Sequence, residues 1–115
     1  MIKIIEKPWG YEEIWAQTER YVGKILHINA GKRLSLQFHE KKEETIRVLS
    51  GNLTLVHGAD ASRLQTSHMT TGEVFHVKPG LIHRFCANSG DVVLVEVSTT
   101  EIDDVIRLED DFLRK

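Results

Sequence analysis

A chain of 115 residues with 41% hydrophobic and 28% charged residues is long enough to bury one core without staples. Fifteen basic against seventeen acidic residues leave a net charge of −2, which argues against a nucleic-acid partner, and no apolar run approaches the roughly 20 residues of a membrane span. The lone Cys86 excludes an intrachain disulfide and the start lacks a secretory core, so a cytoplasmic protein is expected.

Residues 1–30 read as N-terminal strands. Lys7-Pro-Trp-Gly10 is a turn that presents a large aromatic, followed by strands around Glu12–Trp15 and Tyr21–Ile28. Trp15 is expected in the core, and Trp9, beside Pro8 and Gly10, can wall a pocket. Asn29-Ala-Gly31 then turns the chain. Beyond it Arg33, Ser35, Gln37 and His39 share one strand face, and Leu34, Leu36 and Phe38 take the other. Such an ordered polar face suits the inner wall of a barrel around a ligand, with the apolar row packing on a second sheet or a partner subunit.

Gln37 and His39 leave the same face, and Glu44 follows five residues after His39. An amide, an imidazole and a carboxylate suit a borderline or hard divalent ion, and His83, after Pro79-Gly80, offers a fourth ligand. Thr45–Leu49 is a strand that ends at Ser50-Gly51-Asn52, and Leu53–His57 returns from that turn as a hairpin. Short strands at Glu73–Val77, His83–Cys86 and Asp91–Val97 complete the set, so an antiparallel sandwich or barrel is expected. In the last of these, Glu96 is an acid on a stripe of Val92 and Leu94, which points to a site or to a buried pair. His27, His57, His68 and His76 read as structural or exposed, and residues 100–115 as a charged, partly helical or irregular tail.

The spacing resembles the cupin superfamily. Its first motif, G-x5-H-x-H-x3,4-E-x6-G, is matched by Gly31-x5-Gln37-x-His39-x4-Glu44-x6-Gly51 with Gln at the first His. Its second, G-x5-P-x-G-x2-H-x3-N, is matched by Gly72-x5-Lys78-Pro79-Gly80-x2-His83-x4-Asn88, with proline and Asn each displaced by one. The resemblance implies an all-β, single-domain cupin, a double-stranded β-helix or jelly-roll barrel over residues 1–115. Residues 31–99 carry the motif core.

A narrower resemblance, to type II mannose-6-phosphate isomerases, covers nearly the whole chain. It is carried by Lys7-Pro-Trp-Gly10, Arg33-Leu-Ser-Leu-Gln-Phe-His39, Val48-Leu-Ser-Gly51, Glu96-Val97 and Asp103-Asp-Val-Ile-Arg107-Leu-Glu-Asp110. That family also carries Gln in place of the first cupin His. The sequence departs from it at Glu40, Lys41, Thr45-Ile46 and Phe112-Leu-Arg114.

The resemblance implies a metal-dependent isomerase that interconverts mannose 6-phosphate and fructose 6-phosphate. One divalent ion would be held by Gln37, His39, Glu44 and His83, with Zn the first choice and Mn, Co, Ni or Fe compatible. Glu96 is the candidate base and Arg107 closes over the substrate; Arg33, Ser35 and Lys42 are candidate substrate contacts, with Arg33, Lys42 or Arg107 taking the phosphate. It also implies a homodimer. The alternatives are a non-catalytic sugar- or metabolite-binding cupin and an isomerase or epimerase of a different sugar.

Overall fold

A computed structural model describes residues 2–114. Among the described residues, eleven strands form two antiparallel sheets. The larger has the order β1 (Lys3–Lys7), β2 (Gly10–Gln17), β3 (Val22–Ile28), β10 (Val92–Ser98), β5 (Glu44–Ser50), β8 (Val74–Val77). The smaller has the order β11 (Ile106–Glu109), β4 (Leu36–Phe38), β9 (Ile82–Cys86), β6 (Leu53–Gly58), β7 (Gln65–Met69). Among the described residues there is no helix, and so none long and apolar enough to cross a membrane.

Period-two alternation decides which side chains meet between the sheets. In the larger sheet Leu26, Ile28, Ile46, Val48, Val92 and Leu94 point inward and pack against Leu53, Leu55 and Phe85 of the smaller one. The same inward rows become polar towards one end. Register places Ile28 opposite Val92 and Leu26 opposite Leu94, but Lys24 opposite Glu96. One end of the sandwich is therefore a packed apolar core, and the other is a cavity with charged walls.

Two turns require glycine. Gly51 has φ of 87° and a Cβ there would meet the Asp91 carbonyl oxygen at 2.3 Å; at Gly10, φ of 151°, it would meet the His27 carbonyl oxygen at 1.9 Å.

Three expectations change. Trp15 is 44% exposed and not in the core, while Trp9, 3% exposed and packed on the core, also lines the cavity as expected. The β2–β3 register slips between Ile14 and Ala16, and the Trp15 ring lies over Gly23, where a Cβ would sit 2.6 Å from it. The row Leu34, Leu36, Phe38 does not form an outer face. Only Leu36–Phe38 is continuous strand, Arg33 touches Cys86 in an isolated bridge, and the alternation breaks between them. Leu34 packs on the core and Leu36 is buried, which removes the apolar surface offered in support of a dimer. Finally, the tail is not helical: β11 pairs with β4, and its alternation turns Ile106 and Leu108 outward and Arg107 towards the cavity.

Candidate metal centre

Both sheets contribute to the site. Gln37 on β4 and His83 on β9 are register partners in the smaller sheet, His39 lies just past β4, and Glu44 opens β5 in the larger sheet. His39, Glu44 and His83 are buried, and one ligand atom from each falls within 4.8 Å of the other two. Glu44 Oε2 is 3.7 Å from His39 Nε2, and Glu44 Oε1 is 3.6 Å from His83 Nε2.

Hydrogen bonds on the far side of each ring set the tautomers. His39 Nδ1 donates to the Asp104 carbonyl at 2.5 Å and His83 Nδ1 donates to the Leu81 carbonyl at 3.0 Å. A carbonyl only accepts, so each Nδ1 carries the proton and each Nε2 lone pair faces Glu44. Burial pushes the His83 imidazole down to about 4, helped by His39 and Lys42 and opposed by the Leu81 carbonyl, so at neutral pH it is the uncharged, ligating form. Two imidazole lone pairs face a buried carboxylate, one oxygen of which also takes the Lys42 ammonium at 2.9 Å. That arrangement fits a divalent cation held by His39, Glu44 and His83. Gln37 can join them: its Nε2 donates to Ser35 Oγ at 2.9 Å, which leaves the amide oxygen as acceptor on the cavity wall.

The cavity is about 170 Å³ and is lined by Gln37, His39, Glu44, His83, Glu96 and Lys42 at its polar end. Lys42 Nζ lies 2.9 Å from Glu44 Oε2 and 3.1 Å from Glu96 Oε2, the latter contact outside hydrogen-bond geometry. Burial alone would push this ammonium down, but the carboxylates of Glu96 and Glu44 outweigh it and hold its pKa above the ordinary value. For Glu96, burial and the Glu44 charge push the carboxyl up, against Lys42 and Lys24.

Of the residues singled out in the sequence, Gln37, His39, Lys42, Glu44, His83, Glu96 and Arg107 line the cavity. Arg33 and Ser35 do not. The Arg33 guanidinium is tied to Asp111 by bonds of 2.7 and 2.9 Å, which raise its pKa, and Ser35 is fully buried behind Gln37. Lys42, a candidate for the phosphate, is occupied by two carboxylates instead. His27, His57, His68 and His76 stay outside; His27, for example, stacks on Tyr11 with ring centres 4.1 Å apart.

The cavity wall also holds charged residues beyond those singled out in the sequence. Glu12 and Lys24 are buried, form an ion pair at 3.4 Å and line the cavity. Each is a lone charge on an apolar strand face, the same signal that marks Glu96. The tail adds Asp103, Arg107 and Arg114, and the first strand adds Lys7.

An antiparallel sandwich with two facing sheets, its polar end built around a His–Glu–His set at cupin motif positions, defines the class as a cupin. Residues 2–110 match the family described as Mannose-6-phosphate isomerase C-terminal, and the chain belongs to that family. The Xanthan biosynthesis protein XanB of Xanthomonas campestris is 30% identical over 96% of the chain, which spans 23% of that protein's length. Among solved structures, the capsular polysaccharide assembling protein CapF from Staphylococcus aureus superposes with a TM-score of 0.82 at 17% identity, over 95% of this chain and 33% of the other. KdgF from Halomonas sp. does so with a TM-score of 0.76 at 15% identity, over 88% and 90% of the two chains.

Proposed function

We propose that this chain is a metal-dependent sugar-phosphate isomerase that interconverts mannose 6-phosphate and fructose 6-phosphate. The observation that carries the reading is the buried acid Glu96 in the same cavity as the metal-competent set His39, Glu44 and His83. Family membership and the relation to XanB support a sugar-phosphate substrate.

Moving a proton between the two carbons of an aldose–ketose pair requires a base at those carbons and polarisation of the adjacent oxygens. A divalent ion, when bound, supplies that polarisation as a Lewis acid. Glu96 takes the proton from one carbon and returns it to the neighbouring one. Its raised pKa suits that exchange, and Lys42 balances the charge it carries with Glu44. Arg107 and Lys7 line the cavity and take the phosphate oxygens, Arg107 from the tail strand and Lys7 from β1.

The test is interconversion of the two sugar phosphates by purified protein after chelation and re-addition of single divalent metals. Metal-restored turnover is expected. Stoichiometric metal binding with no turnover would favour the second reading, a sugar-binding cupin without catalysis, in which the ion pair to Lys42 keeps Glu96 from acting as a base.

A further inference from the structure

The loop between β4 and β5 holds one candidate ligand at its start, His39, and another at its end, Glu44. It lies outside both sheets, so its four internal amides need partners elsewhere. All four find them in one short stretch of chain. Glu40 N donates to Asp104 Oδ1 at 3.0 Å, and Lys41 N and Lys42 N donate to Asp104 Oδ2 at 2.7 and 2.9 Å. Glu43 N donates to Thr99 Oγ1 at 3.0 Å, and Thr99 N returns a bond of 3.0 Å to the Glu43 carbonyl. The Asp104 carbonyl then accepts from His39 Nδ1, behind the ring whose Nε2 faces Glu44.

We propose that the segment from Thr99 to Asp104 is a strap that positions the metal ligands, with Asp104 fixing both the loop that carries them and the orientation of the His39 ring. This rests on the metal part of the reading above and not on sugar turnover. Asp104 is outside both the candidate ligand set and the cavity lining; it is a positioning residue. Its side chain sets the backbone of residues 40–42, its backbone sets the imidazole, and both belong to the tail that also carries Arg107 into the cavity. Metal binding and docking of the strap are therefore coupled, each favouring the other.

The probe is Co(II), followed by its visible absorption and by titration calorimetry on the full chain. Asp104→Ala keeps the carbonyl behind His39 but frees the amides of residues 40–42, and should weaken binding about 10-fold, the low end of the range for disturbing the outer support of a metal ligand, and alter the absorption bands. Asp104→Asn, which keeps the shape but not the charge, should fall between it and the wild type. Asp91→Ala removes a similar side-chain clamp on the distant Ala30 amide and should leave Co(II) affinity unchanged. In the wild type, saturating Co(II) should slow hydrogen exchange at the amides of Glu40, Lys41 and Lys42, a readout that does not require the variants to fold. Unchanged Co(II) affinity in Asp104→Ala, or no added protection at those amides in Co(II)-loaded wild type, would overturn the strap. Absence of Co(II) binding by the wild type would overturn the metal reading and the strap with it.

Discussion

Glu96 and Lys42 face each other in the cavity at 3.1 Å, and the role proposed for Glu96 can be tested by itself. Glu96→Gln keeps size and burial but removes the proposed base. Turnover of mannose 6-phosphate should fall by about 10²- to 10⁴-fold, the usual contribution of a positioned acid or base, while Co(II) binding persists. Retention of full turnover would exclude Glu96 as the base. Glu12 and Lys24 make the structural counterpart. With side chains 9% and 8% exposed and 3.4 Å apart, they are a buried pair, and Lys24→Met leaves the Glu12 charge uncompensated. Urea unfolding should show a loss on the order of 3 kcal/mol, with much of it recovered when Glu12→Leu is added; an unaltered midpoint in the single variant would mean that solvent in the cavity already screens Glu12. At this scale legibility depended on applying one rule evenly. A charge alone on an apolar stripe marked Glu96, and the same rule marks Lys24 beside Leu26 and Glu12 beside Ile14. Arg33 and Ser35 lie off the cavity because no continuous strand holds the alternation through residues 33–35.

Elements were legible where their signal was local. The hairpin at Gly51 was readable because a turn there needs a residue that tolerates positive φ, and the structure adds the close Asp91 carbonyl. Gly51→Ala should therefore cost about 1–3 kcal/mol or more in thermal unfolding, and a neutral effect would show that the turn can shift its backbone. The tail was not legible as a strand, because β11 is stabilised by pairing with β4, roughly 70 residues away, and not by its own pattern. Its closing turn gives a pH prediction. Burial would raise the Asp110 carboxyl, but the Arg114 guanidinium and the amides of Phe112 and Arg114 outweigh it and draw it down to about 2. A carboxyl depressed in the folded state stabilises above its ordinary value near 4, and that stabilisation disappears as pH falls from about 4 to about 2. Wild type should thus melt above Asp110→Asn at pH 6, and the gap should close between pH 4 and pH 2. A gap independent of pH would assign the effect to packing.

The division of the candidate ligands between the two sheets has a consequence for the whole molecule. Gln37 and His83 belong to the smaller sheet, while Glu44 begins a strand of the larger one. Between them lies the cavity, whereas Ile28, Val48, Val92 and Leu94 pack the core beyond it. An ion joining these residues would cross-link the sheets across the cavity. Metal at 1,000 times its dissociation constant contributes about 4 kcal/mol to folding if the unfolded chain does not bind it. For a chain of this length that corresponds to an upward shift in melting temperature on the order of 10 °C. Chelation should reverse the shift, and His83→Ala should abolish it. Because the cross-link joins the sheets, hydrogen exchange should slow in β4 and β9 as well as in β5 when metal is added. Protection confined to the 39–44 loop would mean that the ion orders only its immediate surroundings and that the apolar end alone holds the two sheets together.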